Sequence, residues 1–371
     1  MFEADSSRKT SLDRGFFSTS GRLESSVAAA GAMLIRVRST SFGQKLDYTN
    51  DRLTKGEIAI LRFLTAVELI ESDLWQQYDE LGGATTTEQS DYQLALQFLN
   101  RLGSKHITAN AFNEIEHSTF LRTCLESEGV ESVNLDEFRI LSGSTAKGSQ
   151  NVGRLTNLMH LNIDTNCHMR FRGDDKPGFG NGFFQDLRIA NKPAIPSADS
   201  ELGDTSHIQT IANTAAFHFR FIEQEVSSLY TSLSQRVKRA KVLKITLGIG
   251  GQEIAHFLEW TNFAANVIQD LPIRPDHSDT SIENQGTTFP DSEVTSRRFL
   301  CETSPRFSSR GTSIRTNLPL SSVIRPVNDR FCSAVATIQS FIENGLFFSQ
   351  STSLLRTLMA LAEEADAAVS S

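Results

Sequence analysis

Glu114-Ile-Glu-His-Ser-Thr-Phe-Leu121 is the stretch on which the reading of this chain turns. Glu114 and His117 stand three positions apart, a spacing that places both side chains on one face of a helix, one turn from each other. A carboxylate brings negative charge to a divalent or trivalent cation, and a neutral imidazole adds a nitrogen ligand. The same pattern recurs at Glu253-Ile-Ala-His256. Two such matches in 371 residues are weak by themselves, so their placement along the chain matters more than their number.

Working outward, Thr54-Lys-Gly-Glu57 has the form of a capping box, in which two otherwise orphaned backbone donors at a helix start are satisfied reciprocally. Apolar residues at helical spacing from Ile58 to Glu80 then predict a first helix that stops at Leu81-Gly82-Gly83. A short amphipathic piece, Tyr92 to Leu102, precedes a second main helix over Thr108 to Glu128, closed by Gly129. Helical texture returns from His207 to Leu233 and again from Val237 to Gln269. Gly248, Gly250 and Gly251 interrupt the last of these and mark a kink or a close helix contact. Residues 270 to 325 read as loop, with Pro272, Pro275, Pro290, Pro305 and Pro319, and two more helices follow at Asn328 to Asn344 and Ser351 to Val369.

Between the second and third main helices lies Val130 to Asp204, rich in Gly, Asn, Asp, Ser and Pro, with brief apolar stretches such as Leu158 to Ile163. Irregular chain with short strands is expected there. An extended link of ~11 residues would span the ~35 Å length of a main helix, so this segment does more than connect, and it is expected to pack as a cover over one end of the helices.

The order helix, helix, long crossover, helix, helix predicts an all-α fold: a ferritin-like four-helix bundle with one long crossover connection, an irregular insert and extra C-terminal helices. In that class two helices each give a Glu and two each give a Glu-x-x-His pair. The two matches fall in the second and fourth helices. The first helix offers Glu68 with Glu71 one turn away, and the third offers Glu223 with Glu225 close by. The flanks Phe63-Leu-Thr-Ala-Val-Glu68-Leu-Ile and Phe217-His-Phe-Arg-Phe-Ile-Glu223 carry these carboxylates into apolar stripes, where an unpaired charge is costly. The expected metal ligands are Glu68, Glu114, His117, Glu223, Glu253 and His256, with Glu71 and Glu225 ranked below them, and the expected cofactor is a pair of iron or manganese ions. Trp75, Tyr230 and Trp260 each follow one of these Glu residues by seven positions, so they share its stripe either as core or as groups that bond to the ligands or pass electrons.

Other constellations are poorer. Asp164, Cys167 and His168, with His160 nearby, have metal-like composition but no recognised ligand spacing. Gly143-Ser-Thr lacks the nucleophile elbow of a hydrolase, and Gly248-Ile-Gly-Gly251 fails the dinucleotide fingerprint. Cys124, Cys167, Cys301 and Cys332 show no C-x-x-C spacing and fit either buried thiols or disulfides. A net charge of -8 with scattered Lys and Arg argues against nucleic acid as a partner. No apolar run reaches the length of a membrane span. Phe is common, 25 residues against 4 Tyr and 2 Trp, and much of it is expected in the core.

The reading divides the chain into a leader or tail (1–50), the four-helix bundle (51–270) with its irregular insert at 130–206, and a C-terminal extension with two helices (271–371). Arg8, Lys9, Arg14 and Arg22 precede the apolar run Val27 to Ile35, and Ser7-Arg8-Lys9-Thr10-Ser11-Leu12 resembles a degenerate twin-arginine motif. That reading expects a periplasmic or secreted protein; the alternative is a Ser/Arg-rich tail on a cytoplasmic one.

Glu57-Ile-Ala-Ile-Leu-Arg-Phe-Leu64, Glu68-Leu-Ile-Glu-Ser-Asp-Leu-Trp-Gln-Gln-Tyr78 and the Glu114 stretch resemble a family of bacterial ferritin-like domain-containing proteins. Gly153-Arg-Leu-Thr-Asn-Leu-Met-His-Leu161, Phe217-His-Phe-Arg-Phe-Ile-Glu-Gln224, Leu229-Tyr-Thr-Ser-Leu233, Val323-Ile-Arg-Pro326 and Leu361-Ala-Glu-Glu-Ala-Asp-Ala367 extend the resemblance over most of the chain from about residue 50. The resemblance implies a ferritin-like fold, metal binding through the six residues named, and often a twin-arginine leader. It defines no reaction. Two functions are therefore carried forward: a dinuclear metal protein with redox or oxygen chemistry, and a metal-free structural or interaction protein of the cell envelope.

Overall fold

Thr54 starts the first helix as the capping box requires: its hydroxyl accepts from the Glu57 amide at 3.2 Å while Glu57 accepts from the Thr54 amide at 2.9 Å. The computed structural model describes residues 52–164, 188–267 and 333–368, and they form seven helices and one two-stranded sheet. The helices are α1 (Lys55–Gly82), α2 (Ser90–Leu99), α3 (Gly103–Ser127), α4 (Thr205–Ser234), α5 (Ala240–Ala264), α6 (Ala334–Glu343) and α7 (Thr352–Asp366). The strands are β1 (Leu161–Asp164) and β2 (Arg188–Lys192), paired antiparallel with an irregularity between Leu161 and Ile163. The chain is thus mainly helical. No helix among the described residues is long and apolar enough to cross a membrane.

Four long helices, α1, α3, α4 and α5, hold the core. Ser72 meets Glu114 and Asp79 meets Thr108, so α1 and α3 are antiparallel. Tyr230 meets Glu68 and His218 meets Tyr78, so α4 is antiparallel to α1. Gly250 meets Tyr230, and Trp260 meets both Phe219 and Asn110, so α5 is antiparallel to α4 and to α3. It follows that α3 and α4 run parallel, and the chain between them must return the full length of a helix.

That connection is folded, with Leu155, Leu158, Leu161 and Ile163 all buried. Its anchor is Asp73 on α1, itself fully buried, whose carboxylate accepts from the Leu155 and Thr156 amides at 3.0 and 2.9 Å, from Thr156 Oγ1 at 2.7 Å and from Arg139 at 2.6 Å. Arg154 pairs with Glu80 two turns further along, and Asn157 and Asn162 bond the backbone at Leu346 and Asn344. The segment therefore lies along the C-terminal half of α1, reaches the start of α2 through Lys147 and Ala194, and ties α1 to the stretch after α6.

Several boundaries differ from expectation for identifiable reasons. Helix α3 begins at Gly103, not Thr108, because its first turn packs on α5: a Cβ at Gly103 would lie 2.7 Å from the Phe263 ring. Helix α5 begins at Ala240, not Val237, because Glu57 Oε1 accepts the amides of Lys238 and Arg239 at 3.0 and 2.6 Å and holds them outside the helix. Gly248 and Gly251 sit in that helix without breaking it, and Gly250 marks the close contact, with a Cβ there only 2.7 Å from Tyr230 Cβ. Gly129 follows α3 with φ +71°, the left-handed turn that glycine permits at a helix end.

Much of the Phe is core, with Phe63, Phe217, Phe219, Phe257 and Phe263 among the largest fully buried side chains, yet Phe98, Phe112 and Phe120 are exposed. Helix α7 packs on α1 and on α6. Cys124 is a buried free thiol. Cys167, Cys301, Cys332, His168 and the leader-like start all lie outside the described residues.

Candidate metal centre

Helical periodicity carries five acidic side chains and two imidazoles inward at one level of the core. Glu68 and Glu71 come from α1, Glu114 and His117 from α3, Glu223 from α4, and Glu253 and His256 from α5. The carboxylates are wholly buried, and each histidine is 6% exposed.

Two groups of donors form within this set. Glu68, Glu114, His117 and Glu253 each offer one atom, all within 4.8 Å of one another, and Glu114, Glu223, Glu253 and His256 do the same. His117 Nδ1 lies 3.3 Å from Glu68 Oε2, 3.2 Å from Glu114 Oε2 and 3.1 Å from Glu253 Oε1. His256 Nδ1 lies 3.3 Å from Glu114 Oε1, 3.4 Å from Glu223 Oε2 and 3.6 Å from Glu253 Oε2. The six first-ranked residues thus come together, and each group could hold a metal ion.

Close approach here is not the same as hydrogen bonding. Glu68 Oε2, Glu223 Oε2, both Glu253 oxygens and His256 Nδ1 are buried without a directed hydrogen bond, although ion-pair distances place them beside one another. Buried polar atoms are normally bonded, so a set that crowds together without bonding leaves its lone pairs free for a cation. The donor set, carboxylate oxygen plus imidazole nitrogen, is of a kind that first-row metal ions take.

Charge tells the same story. Burial pushes Glu68 up to about 8 against the pull of His117, and burial likewise drives Glu223 well above the carboxylate range against the pull of His256. Burial alone would lower both histidines, but the charge of Glu68 and its neighbours outweighs it at His117, as that of Glu223 and its neighbours does at His256. Burial would raise Glu253, but the two imidazoles beside it favour its ionised form more strongly, so it is held low. Protons stand where the cluster has more negative charge than it can keep.

Supporting bonds hold the converging donors. Tyr230 donates to Glu68 Oε1. Asn110 donates to Glu223 Oε1 at 2.8 Å and Glu114 Oε1 at 3.2 Å, and accepts from Trp260 Nε1 at 3.2 Å. His117 Nε2 meets Gln252 Oε1 and His256 Nε2 meets the Asn113 amide, each at 3.1 Å. Orienting a ligand imidazole through its second nitrogen is a general device of metal sites. Of the three aromatic residues at +7, Tyr230 and Trp260 bond within this network, whereas Trp75 stacks on Trp260 and Phe219 at 5.2 and 4.9 Å and its Nε1 has no partner.

The sequence reading missed Asn110, Asn113 and Gln252. A signal existed: in both motifs a side-chain amide immediately precedes the Glu, as Asn113-Glu114 and Gln252-Glu253. Glu225, a second-ranked candidate, is not brought to the cluster; it accepts from Ser340 on α6 at 3.0 Å. Glu71 is buried beside the cluster but belongs to neither group of converging donors. His160 bonds the Asn191 side chain at 2.9 Å and takes part in neither group.

Comparison of the chain with protein-family models, with curated proteins and with solved structures returns no match.

Proposed function

We propose that the four long helices form a ferritin-like four-helix bundle and that the chain is a dinuclear metal protein of the ferritin-like kind, as its sequence resemblance implies. The observation that carries this reading is the sharing of Glu114 and Glu253 between two donor groups, each completed by one histidine and one further carboxylate. Glu114 and Glu253 would bridge two ions, Glu68 and His117 would complete one coordination sphere, and Glu223 and His256 the other. Four carboxylates balance two divalent cations, which explains why the metal-free cluster must retain protons. The metals would be iron or manganese, and when bound they supply redox or oxygen chemistry. The chain's own groups keep that chemistry dry and in register: Tyr230 holds Glu68, Asn110 holds Glu114 and Glu223, and Gln252 and Asn113 hold the imidazoles.

Elemental analysis of the purified protein, together with melting curves, tests the reading. Metal bound only by the folded state raises stability by ~2.7 kcal/mol at a hundredfold excess over Kd. Iron or manganese should raise Tm, and Glu114→Ala combined with Glu253→Ala should abolish the rise. No bound metal and no shift in Tm would leave the metal-free structural role in its place.

A further inference from the structure

Three acids of α1, Glu57 and Asp73 buried and Glu80 half-buried, show what structural carboxylates in this protein look like. Glu57 accepts four backbone or side-chain contacts at the start of α5 and at its own cap, Asp73 accepts from Gln77 on its own helix and from four donors of the long connection, and Glu80 pairs with Arg154. Glu71 differs from all of them. It is wholly buried, and neither carboxylate oxygen has a hydrogen-bond partner. A buried polar group without partners is among the costlier features a fold can hold, so its presence asks for a ligand.

The position of Glu71 supplies one. The donors repeat with two-fold regularity: Glu68 matches Glu223, Glu114 matches Glu253, His117 matches His256, and Asn113 matches Gln252. Tyr230 and Trp75 are likewise matched, each seven residues after its own Glu. Glu71, three residues after Glu68, has as its counterpart Val226, three after Glu223, also wholly buried. One half of the arrangement thus carries a carboxylate where the other carries an isopropyl group. The side chains whose charge bears on Glu71, beyond its burial, are Glu114, Glu253, Glu68 and Glu223, all members of the cluster.

We propose that Glu71 is a fifth carboxylate ligand of the metal centre, present on one side only, that favours a pair of ions including a trivalent one. The inference rests on the two-metal reading above. Glu68, Glu114, Glu223 and Glu253 balance two divalent ions. A fifth ionised carboxylate adds a hard anionic oxygen that matches a fifth positive charge and makes the two metal positions unequal.

The test compares wild type with Glu71→Gln and Glu71→Met, using manganese(II) and the redox-inert ion gallium(III), with affinities read by chelator competition. Wild type should bind two ions of either kind. Glu71→Gln should hold manganese(II) within about threefold of wild type and bind gallium(III) about tenfold or more weakly, the range seen when a group supporting a metal site is removed. Metal-free Glu71→Met should melt above metal-free wild type, because an unpartnered carboxyl gives way to an apolar chain of similar length; that gain also shows that the variant is folded. Equal effects on the two ions, no effect on either, or a lowered melting temperature in Glu71→Met would overturn the proposal. Should wild type bind neither ion, the two-metal reading falls and this inference with it. Should wild type and Glu71→Gln bind both ions alike, only this inference falls.

Discussion

Tyr230 on α4 donates its hydroxyl to Glu68 on α1, so that one oxygen of this carboxylate is engaged and the other is left facing His117. The contact links two helices through one of the converging donors, and on the two-metal reading it would orient that donor before a cation arrives. Tyr230→Phe removes the donor while keeping the ring. We expect metal affinity to fall about tenfold, as for other groups that position a ligand, with the helical content unchanged. Chelator competition against manganese(II) measures it, and an unaltered affinity would show that Glu68 needs no such support.

The same cluster sets a pH dependence. Burial pushes Glu68 up to about 8, and burial also raises Glu71 and Glu223. An unfolded glutamate releases its proton near its ordinary value of 4.5. Between these limits the metal-free folded state holds more protons than the unfolded state, so stability is greatest below about 4.5 and declines as pH rises toward 8, by a few kcal/mol for Glu68 alone. The histidines, held protonated by their carboxylates, act in the same direction above their unfolded range, while the depressed Glu253 acts oppositely only in acid. On the two-metal reading, metal uptake would displace these protons, so affinity should strengthen with pH. Melting curves with chelator from about pH 5 to pH 8, and proton release on adding manganese(II) in weak buffer, check both halves; a chelated protein that grows more stable across that range contradicts the charge assignment.

Glycines in α5 make a sharper stability test. A Cβ at Gly250 would meet Tyr230 Cβ at 2.7 Å, whereas at Gly248 and Gly251 it would meet nothing within 4 Å. Gly250→Ala should therefore cost about 1–3 kcal/mol through overpacking. Gly248→Ala and Gly251→Ala should each stabilise by up to about 1 kcal/mol through helix propensity. Urea unfolding reads all three, and the opposite ordering would mean that α4 and α5 do not approach as described.

Asp73→Ala probes the connection. Removing this carboxylate orphans the Leu155 and Thr156 amides, the Thr156 hydroxyl and Arg139 together. Breaking a buried charged network of this kind costs roughly 3 kcal/mol. Hydrogen exchange at residues 154–157 should accelerate well before exchange in α1 and α3 does. Uniform acceleration across all helices would instead make the connection an inseparable part of the core.

The sequence by itself determined the helices and the inward-facing donors, because both follow from local periodicity. Thr54-Lys-Gly-Glu57 started α1, Gly129 ended α3, and a three-residue spacing put Glu114 beside His117 and Glu253 beside His256 in any helix those residues could form. Tertiary structure decided what no spacing encodes. Glu223 and Glu225 stand two apart on one helix and look alike in sequence, yet packing turns one to the cluster and the other to Ser340 of α6. Glu71 and Asp73 are equally buried on α1, but only Asp73 finds donors, and all of them but Gln77 come from a segment more than sixty positions away. Burial is a property of periodicity and can be read along one helix. Partnership depends on which distant backbone arrives at that face, and only the folded chain settles it.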